Sequence, residues 1–155
     1  MSMSIFRIFG ILVLALLVFF VISKLSGWND PVAKTSQTFM TAVQQNDLAA
    51  VKAAVDPKMA DVVAAGNKIV NVHFKAVNAF QGAFSSQPDV HWTYSDLTDA
   101  HISTDIAPEV GDKLASVTLV RNGAAAGHIL LHRKSEKDEW KIFYMSRVEN
   151  EGSGK

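Results

Sequence analysis

The chain has 155 residues, and its 15 Lys and Arg are balanced by 15 Asp and Glu. A neutral chain without a basic run argues against nucleic acid as a partner. The absence of cysteine excludes disulfides, Cys-based metal sites and a lipid-modified N-terminal cysteine.

The N-terminal head is apolar and uncharged from Ile8 to Ile22, between Arg7 and Lys24. With Ile5, Phe6 and Leu25 the greasy segment approaches the roughly 20 residues that a membrane-crossing helix needs. A cleaved signal is the competing reading. Its best cut, after Ser23 with Val21 at the −3 position, is only passable. Arg7 and Lys24 suit the two interfaces and Trp28 a headgroup belt. Residues 5–25 are therefore expected to be a transmembrane anchor, with the lipid bilayer as their partner. Positive charges flank both ends and do not decide orientation. The short N-terminal tail places the following domain, residues 30–149, outside the cytoplasm. About 130 residues remain beyond the head, which is one ordinary domain.

Asp30-Pro31 is an N-cap followed by proline at the first helical position. Val32, Ser36, Phe39, Met40 and Val43 then recur at helical spacing. Asp47 caps a second short helix, with Leu48, Val51 and Val55 on one face. Asp56-Pro57 repeats the device and predicts a third helix, closed by Gly66. Residues 68–85 carry both periods. Val70, Val72 and Phe74 alternate like a strand, while Ile69, Val72, Ala76, Val77, Phe80 and Phe84 follow helical spacing for longer. A fourth helix is expected there.

From Pro88 the pattern changes. Val90, Trp92 and Tyr94 alternate with polar residues, and 100–104 is a second short strand. Residues 114–121 and 127–134 flank Asn122-Gly123, a dipeptide favoured in tight hairpins. Residues 140–148 form the last strand, and the tail, 150–155, is expected to be disordered. The expected class is α+β: three or four short helices packed on a four-stranded antiparallel meander. The late strands are apolar on both faces. Trp140, Ile142 and Tyr144 alternate with Phe143 and Met145, and Leu130 alternates with Ile129 and Leu131. A sheet with one wet face should be apolar on one side only. A second copy or a membrane-protein partner is therefore expected on Phe143, Met145, Ile129 and Leu131.

The stretch PVAKTSQTFMTAVQQNDLAAV, with Phe39 ahead of the corner Gln45-Asn46-Asp47-Leu48, resembles the first helices of the nuclear transport factor two-like superfamily. EKDEWKIFYM resembles its closing strand. The likeness covers residues 31–149 and rests on short motifs. It implies a cone-shaped α+β domain, as in small membrane-anchored or exported bacterial members, and hence a bacterial inner-membrane location. The superfamily includes isomerases, dehydratases and cyclases as well as non-catalytic binding domains, so fold alone does not choose.

His128 and His132 lie four apart on a strand, about 13 Å, which is too far to share a metal without a bend. No metal or cofactor is expected. His91 and His101 flank Asp96 and Asp99, and a His–Asp pair in an apolar pocket could move protons. Enzymes of the superfamily place Tyr and Asp, or His and Asp, inside the cone. Tyr94, Asp96 and Tyr144 are the nearest substitutes, without a residue-by-residue match to a catalytic set. If the protein is an enzyme, Tyr94, Asp96 or His73 is expected to act in the cone. Phe39, Phe80, Trp92 and Tyr144 are candidates to line a pocket. The leading expectation is a non-enzymatic anchored domain that binds a protein partner or a small apolar ligand. The alternatives are an acid–base enzyme or an accessory subunit of a membrane complex.

Overall fold

The computed structural model describes residues 30–75, 89–108 and 113–148. Helix α1 (Pro31–Gln44) starts where the capping signal puts it. The Asp30 carboxylate accepts hydrogen bonds from the N–H groups of Val32 (2.7 Å) and Ala33 (3.4 Å), satisfying donors that have no partner within the helix. Its buried stripe is Val32, Ser36, Phe39, Met40, Ala42 and Val43. Asn46 then turns the chain with φ of 56°, a left-handed value that asparagine tolerates better than most side chains. Asp47 caps α2 (Leu48–Ala54), accepting from Ala50 N–H at 3.0 Å.

The third and fourth expected helices give way to strands. After Pro57 the chain makes one turn, with Asp56 Oδ1 accepting from Lys58 N–H at 2.8 Å and the Asp56 carbonyl accepting from Met59 and Ala60. It then extends into β1 (Ala60–Ala65) and returns as β2 (Lys68–Phe74). Gly66, at φ of 63°, supplies a two-residue hairpin turn instead of a helix stop. Val62, Val63, Ile69, Val70 and Val72 are β-branched, and such side chains fit a pleated surface better than a helix. Here the alternating period of 70–74 prevails over the helical one. Residues 76–88, with Phe80, lie outside the described residues. Strand β3 (Val90–Thr93) pairs with β2, giving a small sheet in the order β1-β2-β3. It stops at Thr93, which caps the short helix α3 (Tyr94–Thr98) in a reciprocal capping box with Asp96.

The remaining chain is the expected four-stranded meander, β4 (Ala100–Pro108), β5 (Leu114–Arg121), β6 (Ala124–His132) and β7 (Lys141–Arg147). Asn122 and Gly123 both have positive φ, as the hairpin between β5 and β6 requires. The class is thus α+β with two antiparallel sheets.

The apolar doubling of the late strands has an internal cause. Val117, Ile129 and Met145 lie in register across one face, and Ser116, Leu130 and Tyr144 in the next row, on the other. Both rows are buried. Helix α1 packs on β4 and β5, and all three strands of the small sheet touch β7. Phe143, Met145, Ile129 and Leu131, expected at an intermolecular face, are at most 2% exposed. Both faces are thus buried within the chain itself, with α1 against β4 and β5 and the small sheet against β7.

Among the described residues no helix is long and apolar enough to cross a membrane. The expected anchor, 5–25, and the tail, 150–155, lie outside them.

Candidate functional site

Strands β5 and β7 both run antiparallel to β6, so they run parallel to each other and end at the same end of the sheet. Each ends in arginine, Arg121 and Arg147. Between them lie the Asn122-Gly123 turn and the start of β6, where 124–126 are all alanine and leave space. The result is a cleft of about 300 Å³, lined by Trp92, Arg121, Asn122, the three alanines, Arg147 and Val148.

Asp96 joins the two arginines. Its Oδ1 is 3.2 Å from Arg121 Nη1 and its Oδ2 is 3.2 Å from Arg147 Nη2. The capping box holds the carboxylate in place. Asp96 Oδ2 accepts from the Thr93 N–H (3.1 Å) and hydroxyl (2.8 Å). Burial opposes its ionisation, but the Thr93 bonds and Arg147 outweigh burial and hold its pKa below the ordinary carboxylate value. Arg147 is fixed from two further sides. Its guanidinium lies 4.6 Å from the centre of the Trp92 ring, and Nη2 donates to the His91 carbonyl. Trp92 is 1% exposed, and its indole N–H has no acceptor among the described residues. Its ring fits because Gly127 lacks a side chain: a Cβ there would lie 2.9 Å from the ring.

Of the expected pocket residues, Trp92 lines this cleft, whereas Phe39 and Tyr144 belong to the core. Burial, with the charge of Asp89 added, pushes the Tyr144 hydroxyl above the usual tyrosine range. Tyr94 and Asp96 share the short helix α3 while His73 lies on β2, and each of the three has its own partners. Asp96 is committed to the arginines. Tyr94 donates to the Gln44 carbonyl at 3.4 Å. His73 sits on the small sheet, its ring stacked on that of His91 at 4.0 Å. The His73 Nε2 is 3.4 Å from Asp89 Oδ2, an ion-pair distance without hydrogen-bond geometry. His128 and His132 have separate partners, Thr118 at 3.5 Å and Asp56 at 2.8 Å. Among the described residues no three His, Cys, Asp or Glu side chains could hold a metal ion together.

Sequence reasoning named Trp92 and Asp96 but missed Arg121 and Arg147. The usable signal was topological. In a meander, alternate strands share a direction, so arginines ending strands two apart meet at one end of the sheet. Chemically the arrangement offers hydrogen-bond donors. Guanidinium groups remain protonated at any physiological pH, so they donate hydrogen bonds but do not exchange protons. Comparison with known proteins finds no family model, no curated relative and no solved structure that matches the chain.

Proposed function

We propose that this protein is a non-enzymatic binding domain, held at a membrane by residues 5–25 and exposed outside the cytoplasm. One observation carries the binding part of this reading. The carboxylate that joins the cleft's arginines, Asp96, is held ionised by Thr93 and Arg147, pairs with Arg121 as well, and so is a poor proton acceptor. The other acid–base candidates, Tyr94 and His73, have their own partners elsewhere. The cleft is rich in fixed donors, which favours a polar ligand over the apolar one expected from the sequence. Self-association through Phe143 and Met145 is not part of the proposal, since both are buried.

The uncharged run Ile8–Ile22 supports the anchor. The resemblance to nuclear transport factor two-like domains is compatible with a binding role, because many members of that superfamily are non-catalytic. Intact-mass measurement on protein extracted from membranes tests the anchor. A mass that includes residues 1–23 is expected, and loss of those residues would overturn it.

A further inference from the structure

We infer that the cleft between Arg121 and Arg147 is a binding site for a small oxyanion, a carboxylate or phosphate group carrying one negative charge. The inference rests on the binding-domain reading above and names the ligand chemistry of that site.

Charge comes first. Among the described residues, two guanidiniums and the carboxylate that joins them leave one net positive charge at the cleft. Asp96 takes one Nη1–H of Arg121, and the Nη2 of Arg147 serves Asp96 and the His91 carbonyl. Each guanidinium carries five N–H donors. The remaining donors, Nη2 and Nε of Arg121 and Nη1 and Nε of Arg147, make no hydrogen bond to the described residues. Both side chains are reached by solvent, at 38% and 44% exposure, so a ligand can meet them.

Preorganisation comes second. The Trp92 ring, the Thr93–Asp96 cap and the His91 carbonyl hold the cations before any ligand arrives. A site whose donors are fixed in advance loses less entropy on binding. Asp96 keeps the arginines from repelling each other without cancelling both charges. The size fits as well. About 300 Å³ is at the low end for ligand pockets and leaves room for an oxyanion with a short organic remainder. The alanines at 124–126 keep that room open.

Two sources share this chemistry: a free small anion, and the phosphate of an anionic lipid close to the anchor. The test uses the full chain in nanodiscs of phosphatidylcholine, with and without phosphatidylglycerol. Inorganic phosphate and acetate are titrated calorimetrically. Saturable binding of at least one probe in phosphatidylcholine discs is expected. Arg121→Gln should weaken it about tenfold, the effect of one charge-assisted hydrogen bond. Arg147→Lys, which keeps the charge but loses the planar fork, should also weaken it. If phosphatidylglycerol abolishes probe binding, the anion is a headgroup; if it leaves binding intact, the anion is soluble.

No saturable binding in phosphatidylcholine discs would overturn the proposal. So would binding that neither variant alters while circular dichroism shows both folded. The arginines would then serve only to hold Asp96. That failure leaves the anchored binding-domain reading standing. Conversion of a bound anion into new products would instead end the non-enzymatic reading and leave the cleft in place.

Discussion

Asn46 accepts a 2.7 Å hydrogen bond from the backbone N–H of Ile69, a residue 23 positions further along the chain. Its Nδ2 donates to the Asn67 carbonyl at 2.8 Å. One side chain at the corner between α1 and α2 thus clamps the hairpin of the small sheet. The same residue occupies the left-handed region. Asn46→Ala should cost about 2–3 kcal/mol, from two lost bonds and left-handed strain. Asn46→Gly loses the bonds but not the conformation and should cost about half as much. Urea unfolding followed by tryptophan fluorescence checks the order. Equal costs would show that the backbone conformation contributes nothing.

His132 and Asp56 form a mostly buried pair, at 13% and 15% side-chain exposure, that ties the end of β6 to the turn after α2. Asp56 N–H also donates to the Ile142 carbonyl at 2.8 Å, next to the parallel bridge between Val55 and Ile142. Asp56→Ala removes one partner of His132 and the cap on Lys58 together. It should destabilise by about 2–3 kcal/mol, more than His132→Ala, which leaves the Lys58 cap intact. A double-mutant cycle should give a coupling of about 1 kcal/mol or more. Coupling near zero would mean that the pair contributes nothing to stability.

Gly127 lies under Trp92. A Cβ at this position would collide with the Ser146 carbonyl on β7 and come within 2.9 Å of the indole. The first contact is with backbone, which cannot swing aside. Gly127→Ala should therefore cost about 1–3 kcal/mol, as overpacking does in cores. It should also shift Trp92 fluorescence by displacing the ring from Arg147. Unchanged stability and spectrum would show that β6 and β7 can separate at this point.

Asp96 has a folded pKa below its ordinary value of 3.8. A depressed carboxylate pKa means that the folded state favours the ionised form. Its contribution is fully present above about pH 5 and is lost as pH falls through the unfolded and then the folded pKa. Asp96→Asn should be less stable than the wild type at pH 7. Its stability should fall less steeply below pH 5. Asp61, whose hydrogen bond with Lys75 also lowers its pKa, titrates in the same range, so the difference between the two proteins isolates Asp96. Parallel acid limbs would refute the role given to Asp96.

Local chemistry determined much of this protein in the sequence itself. Asp30-Pro31 and Asp47 start the first two helices because a carboxylate beside free N–H groups is a local device. The stripe Val32, Ser36, Phe39, Met40 and Val43 marks the buried face of α1 because helical period and burial coincide there. Asn122-Gly123 marks the hairpin because positive φ is favoured by those two residues. Tertiary structure decided what local signals leave balanced. Asp56-Pro57 signals a helix start and residues 68–74 carry both periods over too short a span, and pairing of β1, β2 and β3 selects the strand. That choice also sets the small sheet against β7 of the two-faced meander, both of whose faces are buried within the chain. The site depended still more on the fold. Asp96 stands 25 residues from Arg121 and 51 from Arg147, and each of the three is unremarkable in its own segment. Only the shared direction of β5 and β7, with Trp92 packed beside Gly127, brings two cations and one carboxylate to the same cleft.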